Sequence, residues 1–576
     1  MKYLIAVVVA ISTLVTFSSC EQEKTPDIVL WQATDPVKLN PMTATDAGSR
    51  RIIERIFQSL LQVDYFTYEL VPVLVKSRPV IEEINDSTVA MNFEIRDEAI
   101  WDDTGEPITG EDVDFTLRLM KSPGAAKSSI RLYFDYIKEI QIDETNKKKF
   151  TIICEPYMIM ESTLTNMMIM PKHIYDPENI LADFTVKELT QNSKALAENS
   201  ELKRYAQFFN KLDFQKNIVV GSGPYTLASW EDKQKVTLKL KENWWGNNME
   251  KGNSWLKATP KKLIFKTIPD MNTAVTALEV EELDVMSRIP PRRFVEELRK
   301  DSSFINTFHN GTPLQFTYSY IGMKTDNDKL GDVQTRKALR HLMDAKEYSD
   351  RVFFGLSERV STFIHPSKKK FINENLILPD YNVEKAQQLL TKAGWSDSNQ
   401  DGILDKMING ERTDFKIEVL YPNVAKTSEE GVLLFKNTCE EAGIKIIPVA
   451  LDFNVFLKKL GARDFEMYFG LWAAAVVESD PSQVWHTNSI GNGHNYTGFG
   501  NPESDKILED LQKELDEDKR AILYKKLQQI IDDEAPYIFL TATRNRVAVH
   551  KRIIDPNFSS MGDGYWSSGF KLEVNQ

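Results

Sequence analysis

Only two cysteines, Cys154 and Cys439, occur beyond the first twenty of the 576 residues. Each sits alone in an apolar segment, so there is no disulfide framework. Both are expected to be buried small hydrophobes rather than a bridge. Long apolar runs are equally scarce: after Leu4–Phe17 no segment reaches the roughly eighteen residues of a spanning helix. Positive charge is also in deficit. The net charge is −13, an acidic balance that argues against nucleic acid or anionic lipid as partner. Catalytic motifs are missing too. No pair of the seven histidines has the His-x-x-x-His spacing that places two ligands on one helical face. There is no Gly-x-Ser-x-Gly elbow, Walker loop or Gly-x-Gly-x-x-Gly turn. Paired carboxylates are abundant, but sequence does not set their separation, so this test alone leaves glycosidase chemistry open. No catalytic residue is identified.

The first twenty residues have a character of their own. Lys2 precedes an uncharged stretch that ends in Ser18, Ser19 and Cys20, followed by Glu21, Gln22 and Glu23. One positive charge, a short apolar region and small residues make a secretory signal. Ser-Ser-Cys resembles the lipobox of bacterial lipoproteins, in which the cysteine, here Cys20, carries the lipid. Phe17 departs from the usual Leu. An extracytoplasmic, membrane-anchored protein is expected, on the periplasmic side or the cell surface. Loss of the signal takes Lys2 with it and moves the net charge from −13 to −14.

More than five hundred residues exceed one simple core, so two or more lobes are expected. The local signals alternate in type. Phe415–Tyr421 (FKIEVLY) reads as a strand, Ser428 as the cap of a helix reaching Ala442, Gly443 as its left-handed terminus, and Ile444–Leu451 as a second strand. That is a βαβ unit with parallel pairing. Val236–Glu242 alternates like a two-faced strand, and Thr109 with Asp112 forms a capping box. Ile507, Leu511, Ile522, Leu527 and Ile531 mark two amphipathic helices. The class is α/β.

Two stretches suggest binding. In SDSNQDGILDK, Asp397, Asn399, Asp401 and Asp405 take positions one, three, five and nine of a calcium loop, with Gly402 at six. Position twelve is Ile408 rather than a bidentate Glu, so the alternative is a polar Asp-Gly turn; a bound calcium would be structural. In FGLWAAAVVESDPSQVW, Phe469–Trp485, an apolar strand runs into Glu478 and Asp480 between Trp472 and Trp485.

Six stretches in order resemble one family: TDPVKLNPMTATD (34–46), EIRDEAIWDDTGEPITGEDVD (94–114), GSGPYTLASW with ENWWG (221–230 and 242–246), FKTIPDMNTAVTALEVEELDV (265–285), DVQTRKALRHLMD (332–344) and DFEMYFGLW (464–472). They resemble the family 5 solute-binding proteins, the peptide- and nickel-binding class of ABC importers, over nearly all of residues 31–550. The resemblance implies a two-lobed, periplasmic-binding-protein-like fold of type II, the large peptide-binding class, with an extra subdomain in the first lobe. Residues 1–20 would be the signal, 21–65, 200–308 and 542–576 lobe I, 66–199 the subdomain and 309–541 lobe II. It implies a monomer that closes on a small peptide, performs no chemistry, needs no cofactor and delivers its ligand to a membrane permease driven by a separate ATPase.

Relatives usually carry Trp-x-x-Asp where this chain has Trp472 and Ala475, and that aspartate pairs with the ligand's free amine. Either Glu478 or Asp480 replaces it, or the ligand has no free amine there; Asp480 also reads as the turn-capping residue before Pro481. Thr34, Trp472, Trp485 and Arg359 are further ligand-binding candidates, Arg359 for a carboxylate. Trp244, Trp245 and the glycines of GSGPY read as scaffold. Behind peptide stand nickel chelates, opine-like amino-acid derivatives, oligosaccharides or another non-peptide solute, and a sensor or receptor using the same trap.

Overall fold

The computed structural model describes residues 27–126, 133–191, 193–249 and 252–573. The signal segment and Cys20 lie outside the described residues. Three sheets organise the chain. The first has seven strands in the order Phe308–Gly311, Val547–His550, Val285–Met286, Asp27–Gln32, Lys262–Thr267, Lys235–Leu240 and Tyr225–Glu231. The second has five: Lys445–Leu451, Lys416–Pro422, Met467–Ala473, Thr317–Met323 and Tyr537–Phe539. An antiparallel sheet of four, Val80–Asn85, Thr88–Glu94, Lys149–Cys154 and Ile137–Ile142, forms the peripheral subdomain.

Local chemistry explains these elements. Lys416–Pro422 pairs in parallel with Lys445–Leu451, and the helix Lys426–Glu441 crosses between them. Gly443 ends that connection at φ +81°, where a Cβ would be strained. The helix starts before Ser428, which is buried one turn inside it; Ala425 is the cap, after a turn in which Ala425 N–H bonds the Pro422 carbonyl. Thr109 caps Gly110–Lys121 reciprocally with Asp112. Cys154 and Cys439 are buried and free, and burial pushes the Cys154 thiol up to about 12.

The family signature is a packing device. Both indole N–H groups of Trp244 and Trp245 donate to the Ser222 carbonyl, at 2.8 and 3.0 Å. A Cβ on Gly221 would stand 2.3 Å from the Ile56 carbonyl oxygen, so only glycine admits that approach.

The chain passes between the two large sheets along two segments that run side by side. Asn545 N–H donates to the Pro313 carbonyl and Gln315 N–H to the Thr543 carbonyl, both at 2.8 Å. The crossings fall slightly beyond the expected lobe borders at 308/309 and 541/542. Phe308–Gly311 still pairs in the seven-stranded sheet, and Thr541–Thr543 still pairs with Ser357–Arg359. The subdomain also runs past residue 199: Tyr175 packs on Phe209, and Asn210 bonds the Gly124 carbonyl.

Candidate functional site

The carboxyl ends of parallel strands are where open α/β sheets place ligands. In the first lobe these are the ends of Asp27–Gln32 and Lys262–Thr267, and in the second the end of Lys416–Pro422. Apolar side chains stand in solvent at this end of the second lobe: Val424 is 74% exposed and Leu471 62%.

A cavity of about 410 Å³ has walls from the subdomain of the first lobe and from the second lobe. Tyr68, Arg78 and Glu161 contribute from one side; Lys368, Glu478 and Arg520 contribute from the other. A small annex of about 40 Å³ shares Lys368 and Glu478 and reaches Ala475 and His365. Glu478 leaves the strand Met467–Ala473 on the segment before Pro481. Arg520 comes from the first turn of Glu517–Glu534.

The cavity's charges are mostly spent on one another. Arg520 Nε and Nη2 each donate to one oxygen of Glu478 at 2.6 Å. Its Nη1 donates to the carbonyls of Glu514 and Leu515, at 3.1 and 2.7 Å. The bidentate geometry matches guanidinium to carboxylate, and both side chains are largely buried. Arg78 grips Glu161 in the same way, at 2.8 and 2.9 Å. Lys368 differs: its Nζ donates to the Tyr68 carbonyl across the cleft at 3.0 Å, and among the described residues no carboxylate pairs with it. Burial lowers its pKa, against the attraction of Glu69, Glu478 and Glu517. Tyr68 presents that carbonyl from a left-handed backbone, φ +60°, which is uncommon for a bulky residue.

Among the sequence candidates, Glu478 lines the cavity but faces Arg520. Asp480 lies next to it and accepts from Ser482 N–H (2.9 Å), Gln512 Nε2 (2.8 Å) and the Tyr157 hydroxyl of the subdomain (3.1 Å). It therefore caps its own turn and ties the two sides together. Trp485 is 1% exposed and belongs to the core, packed on Tyr537 and Phe499. Trp472 lies edge-on to His494 at 5.6 Å, outside the cavity walls. Thr34 is exposed, and its carbonyl accepts from Gln32 Nε2. Arg359 donates to the Pro379 carbonyl at 2.7 Å in a separate recess. The structure brings together Glu478 and Asp480 and leaves the other four apart from them.

In the calcium-like loop, Asp397 accepts from the N–H groups of Asp401 and Gly402, and Asp405 from Ser398. A hairpin, Asp405–Ile408 with Glu411–Asp414, follows it. No group of three or more acidic, His or Cys side chains among the described residues is placed to hold a metal ion.

Lys368, Arg520, Arg78 and Glu161 carried no usable sequence signal. Lys368 sits in the run Lys368–Lys370, which reads as a solvated face, and Arg520 reads as ordinary surface charge on an amphipathic helix.

Two lobes joined by paired crossings, with a cavity between the subdomain and the second lobe, are the architecture of a two-lobed solute-binding protein. Residues 69–494 match the family model for bacterial extracellular solute-binding proteins, family 5 Middle, and the chain belongs to that family of binding proteins. Among its relatives, the oligopeptide-binding protein AppA of Bacillus subtilis is 23% identical over 533 residues, 92% of this chain and 88% of that one. The dipeptide-binding protein of Escherichia coli is 22% identical over 561 residues, 94% of each. NikA from Brucella suis, solved in complex with Fe(III)-EDTA, shares the fold with a TM-score of 0.75 at 17% identity, covering 95% of this chain and all of that one. No helix among the described residues is long and apolar enough to cross a membrane.

Proposed function

We propose that the protein captures small peptides outside the cytoplasm and hands them to an ABC permease driven by a separate ATPase. It would act as a monomer tethered through a lipid on Cys20, and would perform no chemistry. The observation that carries this proposal is the cavity of about 410 Å³ between the subdomain of the first lobe and the second lobe. Closure around the crossings at 311–317 and 543–547 would bury a ligand from both sides, with free energy from contacts made only in the closed form. The oligopeptide- and dipeptide-binding relatives support peptide as the ligand class. An oligosaccharide would draw on tryptophans to stack on and on the missing aspartate at Ala475, since sugars have no amine; the first ground is weakened, because Trp485 is in the core and Trp472 is outside the cavity.

A thermal-shift assay on the chain from Gln22 onward, refolded from denaturant to strip carried-over solute, tests this. A ligand at about one hundred times its Kd adds roughly 2.7 kcal/mol. A mixed di- to pentapeptide pool is expected to raise Tm while neutral oligosaccharides leave it unchanged. The reverse pattern would replace the peptide assignment.

A further inference from the structure

We infer that the cavity takes solutes that present a carboxylate and no free amine, such as N-blocked peptides; the inference rests on this cavity being the capture site. Its central acid is already neutralised by the protein. Arg520 places one donor on each oxygen of Glu478 and neutralises its charge, and its own remaining contacts go to two backbone carbonyls. The guanidinium thus stands against Glu478 as a ligand's ammonium would. An incoming amine would have to break a largely buried, doubly bonded pair, which leaves one charge uncompensated.

The second acid in the wall, Glu161, is held by Arg78. Glu517 is paired with Lys370 at 2.9 Å. Glu69 remains, and it is exposed at the rim, where a single charge–charge contact is worth little.

Cationic capacity is left over instead. Lys368 lines both the cavity and its annex, is half-buried, and uses its Nζ on a neutral carbonyl, with two donors to spare. A carboxylate beside Nζ would supply the missing counter-charge. Ala475, at the edge of the annex, adds no acid to compete for it.

Titration calorimetry tests this with four probes: a free tripeptide pool, the same pool N-acetylated, the pool both N-acetylated and C-amidated, and uronic-acid oligosaccharides. The acetylated acid is expected to bind at least as well as the free peptide and at least tenfold tighter than the amide. Lys368→Met should abolish that tenfold preference; Lys368→Arg, which keeps the charge, and Lys369→Met, on the exposed neighbour, should retain it. Binding of uronic-acid oligosaccharides alone, with the same dependence on Lys368, would end the peptide proposal and uphold this one. Free peptide binding tenfold tighter than acetylated peptide, especially if lost in Glu69→Gln, would overturn it. So would indifference to amidation and to Lys368→Met, or silence toward all four probes.

Discussion

Glu478 and Arg520 are an ion pair whose value is asymmetric. Together they satisfy each other; separately each is a buried charge without a counterpart. Arg520→Gln is expected to lower stability by about 3 kcal/mol in urea unfolding, by the usual cost of breaking a buried pair. Adding Glu478→Gln should recover a good part of that loss, and a double mutant no more stable than Arg520→Gln would contradict the pairing.

His365 is the titratable counterpart. It is buried against Phe316, its Nε2 donates to the Gln315 carbonyl on the interlobe crossing, and burial lowers its pKa from 6.5 to about 4. The unfolded chain therefore binds a proton that the folded chain refuses. This contribution to stability is intact above about pH 6.5 and is lost as pH falls toward 4, by about 2–3 kcal/mol at the lower end. His365→Gln should flatten that part of the pH–stability profile; an unchanged slope would show that the imidazole does not titrate this way. The sequence exposed the acids of the 478–480 segment but not their partners, because Arg520 is forty-two residues away and a long-range pair leaves no periodic trace.

Periodicity and cap chemistry are local, and the elements they govern were readable in advance. The βαβ unit at 415–451, the Thr109 capping box and the strand near Val236 stand where the pattern put them within a residue or two, except that the crossover helix is capped by Ala425, three residues before Ser428. Where tertiary packing intervened, the pattern misled. Ile522 was expected on the buried face, yet Glu517–Glu534 buries Arg520, Tyr524, Leu527 and Ile531, and Ile522 is 56% exposed. The buried stripe is completed by an arginine, which hydrophobicity alone does not count. The signature GSGPY–ENWWG acts at this scale too. Gly221→Ala would drive a methyl group into the Ile56 carbonyl, and a loss of about 1–3 kcal/mol in denaturant unfolding is expected, whereas Gly105→Ala meets no neighbouring atom and costs only what its positive φ imposes.

At the scale of the whole molecule, length and the ordered motifs announced two lobes and a subdomain. The cavity was not legible, because it is assembled from residues 68–162, 368–371 and 477–520, which no sequence window contains together. The contacts that now span it are both polar and apolar: Lys368 to the Tyr68 carbonyl, Tyr157 to Asp480, Met158 N–H to the Gln512 carbonyl, Tyr68 edge-on to Phe316, and Met158 packed in the apolar cluster of the second lobe.

Closure is best tested by a pulsed spin–spin distance measurement between labels on Asp86→Cys in the subdomain and Lys519→Cys in the second lobe, both exposed and both lining one groove of about 920 Å³. Cys154 and Cys439 are buried and should not label, and a chain starting at Gln22 lacks Cys20. In ligand-stripped protein the distance distribution should be broad. Saturation with a probe that raises Tm should narrow and shorten it. A distribution that stays unchanged while Tm rises would mean that solute binds without the lobes closing on it, and would contradict the trap.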